Sequence, residues 1–600
     1  MSVAVDKKSI KGGEFIVRET EANEVFIPEE FSEEQKMMAQ ACQDFIDTEI
    51  SPKADEIDSM KDPDLVPGIF KKAGDLGLLG ISVPEQYNGM GMSFNTSMLI
   101  ADIIGAAGSF STTYGAHTGI GTLPILYYGN EEQKKKYLPK LATGEWAACY
   151  CLTEPDAGSD ANSGKTKAVL SEDGSHYKIT GQKMWISNAG FASLMIVFAR
   201  IEDDKNITGF LVPYDSENGI RLGDEENKLG IHSSSTRQVF FTETKVPAEN
   251  ILGERNGGFK IAMNALNVGR VKLGVACIDA QRRLTSESVK YANERIQFKT
   301  PISQFGAIKE KIARMATSCY VGESACYRVA KDIEDRIDYF ISQGMSPQEA
   351  ELKGVEDYAV ECSLIKVGAS EDLQNCSDEG IQIFGGMGFS ADTPMESAWR
   401  DARIGRIYEG TNEINRMLSV GMLVKKGMKG QIDLMGSVMK AANAFGQNTS
   451  DEIISDKHLS QEISVISKFK NLFLILLGNV FQKFGNELEK QQQILLSLSD
   501  ILIEIYFSES ALYRTLKNID NQGIESQITQ ENMVQFYVFE AYNIIHKSAR
   551  EIILSISDGK EQEQLLKILN EKCSYIRNPN VIGLKTKIAN KFIKENSFFI

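Results

Sequence analysis

The sequence predicts a mostly α-helical protein with a single β domain set between two helical blocks and a further helical domain at its C-terminal end. Three observations carry this. Apolar residues recur at helical spacing from 31 to 144 and again from 247 to 426, the stretch 145–246 switches to short β-branched and aromatic runs, and helical spacing resumes from 461 to 600. In order, the chain divides into an N-terminal extension (1–30), a helical domain (31–144), a β domain (145–246), a second helical domain (247–426), a linker (427–460) and a C-terminal helical domain (461–600).

The extension is mixed and polar. Ser32 with Gln35 then forms a capping-box pattern that opens the first helices, Asn130 with Gln133 repeats it, and GTLPILYYG and LPKLATGE punctuate the block. In the middle, AACYCL, KTKAVL, HYKIT, KMWIS, LMIVFAR, GFLVP and QVFFTETKV read as strands of an antiparallel barrel or sandwich. The second helical domain, expected as a four-helix bundle, contains the long amphipathic segments YANERIQF, IKEKIARMATSCYVGESACYRVAKDI and EDLQNCSDEGIQIF. The linker reads as Gly-rich and loosely patterned.

Charge and composition exclude several functions. A net charge of -17, from 82 acidic against 65 basic residues, repels nucleic acid and anionic membranes. An anionic substrate must then be met by local Arg, Lys or helix N-termini. Nine cysteines lack both metal-ligand spacing and the density of a disulfide framework, which fits a reducing compartment. His117, His176, His232, His458 and His546 lie far apart, form no metal-binding helix, and read as structural. The first residues lack the apolar core of a secretion signal, and the tail's longest apolar run, Leu472 to Leu477, is too short to span a bilayer; a cytoplasmic location is expected. FKNLFLILLGNVFQKF, residues 469 to 484, reads as a helix packed on the tail's own core. A membrane-surface helix is the less favoured alternative, because few basic residues would draw it to anionic lipid.

Four groups of residues carry chemistry. In IYEGTNEINR, residues 407 to 416, Gly410 permits a tight turn, Thr411 or Asn412 can cap the following helix, and Glu413 places charge in its first turn. Glu409 is thereby set at a helix start, where a carboxylate can act as a base. The turn in YCLTEPDAGSD offers small donors (Thr153, Ser159) and a glycine (Gly158) suited to a flat heterocycle and a phosphate. In GQKMWISNAG, strand alternation places Trp185 and Ser187 on one face and Ile186 on the other, an aromatic plate beside a hydroxyl. ERIQF and QIFGGMGF add an arginine and glycines of the kind that meet phosphate.

Taken together with KLGIHSSST (228 to 236) and NVGR (267 to 270), these segments resemble the acyl-CoA dehydrogenases over about residues 30 to 425, and with the long tail they look most like the very-long-chain subgroup. The resemblance implies an acyl-CoA dehydrogenase-like architecture and FAD as cofactor, with no metal. It implies that Glu409 takes the α-proton of an acyl-CoA while the β-hydride passes to flavin N5, giving a trans-2-enoyl-CoA in fatty acid β-oxidation. Around the flavin it implies Tyr150, Leu152, Thr153, Gly158, Ser159, Trp185, Ile186 and Ser187, with Thr411 and Glu413. Arg295, Phe298, Gln382, Gly385 and Gly386 would hold the pyrophosphate–adenosine end across a dimer interface, and Ser159, Asn267, Arg270 and Gly410 would meet substrate. The family usually has Gly after the Phe of ERIQF where this chain has Lys299, and the base of some subfamilies would stand at Gly269, which leaves Glu409 as the matching base. The resemblance also implies a homodimer, with electron-transferring flavoprotein as electron acceptor. The rival readings are an acyl-CoA oxidase, told apart by peroxide, and a flavin-binding assembly protein of the same fold. A solvated Glu is a poor base, so burial by the bound acyl chain is expected to raise the Glu409 pKa against the helix-start dipole.

Overall fold

The computed structural model describes residues 10–446 and 458–599, so the first nine residues of the extension and 447–457 of the linker lie outside the described residues. After the extension, the first helical domain contains, among the described residues, the α-helices α1 (Glu33–Phe45), α2 (Ala54–Ser59), α3 (Leu65–Asp75), α4 (Phe94–Gly105), α5 (Ser109–Gly115), α6 (Leu123–Tyr128) and α7 (Glu131–Ala142). Both anticipated capping boxes form, Ser32 on α1 and Asn130 on α7. The β domain follows with β1 (Ala148–Cys151), β2 (Lys167–Leu170), β3 (His176–Ser187), β4 (Leu194–Ile201), β5 (Thr208–Pro213), β6 (Ile220–Glu225), β7 (Thr236–Pro247) and β8 (Ile251–Leu252). The strand order is β6-β7-β3-β2-β4-β5-β8, with β1 also on β4.

This sheet is mixed, which corrects the antiparallel expectation: β1 and β2 both run parallel to β4. Between β1 and β4 the chain travels out through β2 and β3, giving it the length that a parallel return needs. β4 is buried almost throughout, as its continuous apolar run LMIVFARI requires.

The second helical domain consists of α8 (Gly258–Glu294), a short hairpin of β9 (Ile296–Gln297) and β10 (Thr300–Pro301), then α9 (Gly306–Ser342), α10 (Pro347–Asp357), α11 (Ala359–Phe384), α12 (Pro394–Ile404) and α13 (Asn412–Met428). α11 is its axis, packing on α8, α9, α12 and α13. The tail comprises α14 (Leu434–Gly446), α15 (Ser460–Phe484), α16 (Gln492–Gln522), α17 (Ile528–Ile556), α18 (Gly559–Lys567) and α19 (Val581–Glu595). It docks on the bundle through α16 on α9 and α13 and through α19 on α9.

Three local expectations change. ERIQF is not helical: α8 stops at Glu294, and Phe298 and Lys299 form the tip of the β9–β10 hairpin with φ of +50° and +62°. Two left-handed residues in a two-residue hairpin suit Asn-Gly or Gly-Gly, so Lys299, where the family usually carries Gly, adopts a conformation that a side chain disfavours. The linker is not all loop, because the apolar spacing of LMGSVMKAANAF builds α14, with Leu434 and Ala441 buried. The extension is anchored: Phe15, Ile16, Val25 and Ile27 are buried, Phe15 meets Tyr506 of α16 edge-to-face at 5.0 Å, and the Gly13 N–H donates to Glu361 at 2.5 Å.

Buried charge joins these layers. Arg282 on α8 pairs with Asp102 of α4 at 2.7 Å and Glu323 of α9 at 2.5 Å, while Arg514 of α16 pairs with Glu323 at 2.6 Å and Glu29 of the extension at 2.9 Å. Among the described residues two helices, Gly258–Glu294 and Ser460–Lys490, are long and apolar enough to cross a membrane, but most of each apolar window is buried in the protein. α15 turns Phe469, Leu472, Phe473, Leu476 and Val480 into the core. All nine cysteines are free and buried. No group of three or more His, Cys, Asp or Glu among the described residues could hold a metal ion.

Candidate active site

The turn between α12 and α13 carries Glu409. Thr411 is the cap, its hydroxyl accepting from the Ile414 N–H at 3.3 Å, whereas the Asn412 side chain turns inward. Glu409 and Gly410 both adopt left-handed backbone, φ +59° and +81°. Glycine takes this freely, but for a glutamate it costs on the order of 1 kcal/mol or more and persists only where neighbours impose it. Those neighbours hold the turn by its carbonyls. Asn415 Nδ2 donates to the carbonyls of Gly410 (2.8 Å), Thr411 (3.1 Å) and Glu409 (3.3 Å), Arg270 Nε donates to that of Glu409 (3.3 Å), and Lys366 Nζ donates to that of Gly410 (2.8 Å).

The Glu409 carboxyl points inward. Its Oε2 is sealed from solvent and has no hydrogen-bond partner. Burial pushes its pKa up to about 7, against the pull of Arg270 and then Lys366. Desolvation therefore overcomes both cations already in the folded chain, before any acyl chain covers the group. Beneath the carboxyl, a Cβ on Gly269 would lie 2.6 Å from Oε2, so α8 leaves this space only because residue 269 has no side chain.

Arg270 and Asn267 stand on the same part of α8, both buried, with Arg270 Nη1 donating to Asn267 Oδ1 at 2.6 Å. Tyr150 at the end of β1 connects the base to the β domain: it is buried, its hydroxyl has no partner, and its pKa is raised first by burial and then by Glu409.

From Tyr150 the chain enters the turn with Leu152 buried, Thr153 half-buried, and Gly158 and Ser159 exposed. The end of β3 lies against it, the Met184 N–H donating to the Thr153 carbonyl at 3.0 Å. Here β3 slips register between Lys183 and Ile186, and Trp185 has φ +60°. Ile186 points into the core, while Trp185 is 53% exposed and Ser187 half-buried, so a bulge delivers the predicted aromatic plate to the surface. A buried ion pair underpins both segments. Lys183 Nζ meets Glu154 Oε1 at 2.7 Å and the Leu152 carbonyl at 3.1 Å, and Glu154 also accepts from the Thr166 N–H at 3.1 Å.

The other predicted cofactor residues form a second cluster. Tyr291 near the end of α8 stacks on Phe384 at 4.0 Å and donates to its carbonyl at 3.2 Å, which sets the Arg295–Phe298 hairpin beside Gln382, Gly385 and Gly386. Gly385 has φ +62°, and a Cβ on either glycine would meet open space. Phe298 is 89% exposed and Phe389 86%. Arg295 directly follows α8, 25 residues beyond Arg270, about 37 Å at 1.5 Å per residue. One chain therefore presents the two clusters far apart, one beside the first half of α8 and the other just past its C-terminal end. Thr411 and Glu413 remain beside Glu409, at the start of α13.

Sequence reasoning missed Lys366, Asn415, Lys183 and Glu154. Lys366 carried a signal, a lone cation inside an otherwise buried run; Lys183, Glu154 and Asn415 sat unremarked within the motifs themselves.

With this geometry in view, comparison with known proteins is direct. Models of the acyl-CoA dehydrogenase N-terminal, middle and C-terminal domains match residues 32–145, 149–244 and 256–422, and a further acyl-CoA dehydrogenase C-terminal domain matches 468–571. A probable acyl-CoA dehydrogenase of Bacillus subtilis is 41% identical over 96% of this chain and 97% of its own length. The chain belongs to the acyl-CoA dehydrogenase family. The very long-chain specific acyl-CoA dehydrogenase of rat mitochondria is 33% identical over 82% of this chain and 76% of its own. The crystal structure of an acyl-CoA dehydrogenase from Bacillus anthracis, complexed with FAD, is 40% identical with a TM-score of 0.94, and covers 99% of this chain and 100% of that one. For an acyl-CoA dehydrogenase, the extra tail is thus in large part, over residues 468–571, a family domain with a model of its own.

Proposed function

We propose that this acyl-CoA dehydrogenase binds FAD and oxidises acyl-CoA thioesters to trans-2-enoyl-CoA, with Glu409 as the base that removes the α-proton. The observation that carries this reading is the Glu409 carboxyl itself, desolvated to a pKa of about 7 and faced by Tyr150 at the end of β1. A base with that pKa is half ionised near neutral pH and strong enough to share a proton with a weakly acidic carbon in the transition state. The residues present fit the cofactor, because Trp185 offers an uncovered aromatic face and Tyr150 a buried hydroxyl without a partner. FAD, when bound, supplies the hydride acceptor.

The chain's own residues do the rest. Glu409 removes the proton; Arg270, Asn415 and Lys366 hold its turn; Gly269 leaves room for its carboxyl; and the Glu409 N–H is the proposed donor to the thioester oxygen, where negative charge develops. Arg270 and Asn267 supply the local polarity that an anionic substrate needs in an acidic protein.

The second cluster gives this proposal its assembly. Arg295, Phe298, Gln382, Gly385 and Gly386 cluster past the far end of α8, too distant to close over the flavin beside Glu409 of their own chain, so they would serve a second copy's FAD in a homodimer. We place the enzyme in fatty acid β-oxidation in the cytoplasm, in keeping with its nine free thiols, and take electron-transferring flavoprotein as acceptor. The test is anaerobic mixing of the FAD-loaded protein with acyl-CoAs of graded length. Wild type bleaches the flavin and Glu409→Gln does not; a Glu409→Gln protein reduced at the normal rate removes the base assignment, and stoichiometric peroxide in air marks an oxidase instead.

A further inference from the structure

The tail helix α16 is joined to the catalytic turn by one unbroken chain of charge-assisted hydrogen bonds. Asp500 on α16 accepts from Arg416 Nε at 2.7 Å. The two Nη atoms of the same guanidinium each donate at 2.8 Å to one oxygen of Glu371. Glu371 Oε1 also accepts from Asn412 Nδ2 at 3.0 Å, Asn412 Oδ1 accepts from Lys366 Nζ at 2.7 Å, and Lys366 ends on the Gly410 carbonyl. Ser419 and Ser499, at 2.9 Å between hydroxyls, tie α13 to α16 nearby.

We propose that the C-terminal domain braces the catalytic turn through this chain, with Asp500, Arg416, Glu371 and Lys366 as positioning residues that fix the Glu409 carboxyl; the inference rests on Glu409 being the base. Two independent observations favour a brace over simple adhesion. The left-handed backbone at Glu409 needs external restraint, and Lys366, which is fully buried, spends its bonds on the turn's own Gly410 carbonyl and the Asn412 side chain rather than on a carboxylate. Adhesion alone is served as well by apolar contacts, since buried ion pairs contribute little net stability.

The charged surroundings give the brace a measurable signature. Glu409 is faced by Arg270 from α8, Lys366 from α11, Tyr150 from β1 and Tyr408 of its own turn; Lys366 is faced by Glu409, Arg270, Cys277 and Glu371. Removing the Lys366 cation leaves Glu409 harder to ionise. Removing the Asp500 anion, farther off in the tail, leaves Arg416 bound to Glu371 alone and loosens the chain from its anchored end.

The experiment uses full-length, FAD-loaded protein and follows flavin reduction by palmitoyl-CoA, or by whichever graded acyl-CoA wild type uses best, as a function of pH. Flavin content and melting temperature are recorded alongside. Asp500→Asn should retain FAD and slow reduction by about threefold to tenfold. Lys366→Met should shift the acid limb of the rate to higher pH and Lys366→Arg should restore it, a pattern that lost packing would not produce. In the double variant Asp500→Asn/Lys366→Met, the loss should be smaller than the product of the single losses, because both cut one chain. Wild-type reduction by Asp500→Asn, or single losses that multiply, would overturn the brace. If Lys366→Met loses its flavin, Asp500→Asn and Lys366→Arg decide the matter alone. Should Glu409→Gln be inactive while these variants behave as wild type, only the brace fails; an active Glu409→Gln fails the base assignment.

Discussion

Gly269 on α8 and Glu409 in the turn before α13, 140 positions apart, share one volume: a methyl group on Gly269 would sit 2.6 Å from a Glu409 carboxylate oxygen. A side chain here and the carboxyl in its present place exclude one another.

Gly269→Ala should therefore fold and bind FAD yet lose most of its activity. The clash is with the end of a flexible side chain, which can turn away at little cost to stability, but a shift of about 1 Å at a reacting group costs on the order of a hundredfold in rate. Stopped-flow flavin reduction and a melting curve on the same sample check both halves. A near-normal rate would show that the carboxyl works from another position.

The pH dependence of Glu409 has a definite sign. Its pKa rises from the ordinary 4.5 to about 7 on folding, so the folded chain holds this proton more tightly than the unfolded one. Its stabilising contribution is complete below pH 4.5 and is lost as pH climbs through 7. Glu409→Gln should accordingly melt higher than wild type at pH 8 and show little difference at pH 4.5. Catalysis runs the other way, since only the ionised base accepts a proton: the rate of flavin reduction should fall on the acid side of about pH 7.

Trp185 offers most of its ring to solvent from a strained backbone position, an arrangement that costs stability unless something covers it. Trp185→Ala should leave the melting temperature of the flavin-free protein unchanged or higher and weaken FAD binding by roughly tenfold, the worth of one aromatic stacking contact. Fluorescence of flavin released on dilution measures it.

Breaking the Lys183–Glu154 pair strands a charge in the β domain. Both side chains are nearly inaccessible, so Lys183→Met should destabilise by about 3 to 5 kcal/mol, and the double variant Lys183→Met/Glu154→Gln should recover part of that loss. Chemical denaturation of the flavin-free protein gives the comparison. Equal losses in single and double variants would mean that the cost is packing.

The order of helices, sheet and helices was legible because burial imposes different periods on helices and strands, and the capping residues Ser32, Asn130 and Thr411 mark helix starts through chemistry local to a few positions. Glu409 and Trp185 were legible as well, since each belongs to a short motif whose backbone needs are written in its neighbours. What the sequence hid depends on distant contacts. The parallel placement of β1 on β4 is decided by where the chain returns after β3, and α14 hid behind Gly427, Gly430 and Gly436, which read as linker although the apolar positions from Leu434 onward keep helical spacing. Lys366 finds its partners Gly410 and Asn412 more than forty residues downstream, and Asp500 reaches Arg416 across 84. No local pattern records such pairings.

The nine thiols, each enclosed in the folded protein, give the enzyme a set of internal reporters. Burial holds Cys42, Cys277, Cys376 and Cys573 up at about 12, so none offers an alkylating reagent a thiolate while the structure stays closed. Cys42 belongs to the first helical domain, Cys149 and Cys151 to the sheet, Cys573 to the tail, and the others to the bundle. Timed iodoacetamide labelling read by mass spectrometry would therefore record the sequence in which the domains open, without a single added probe.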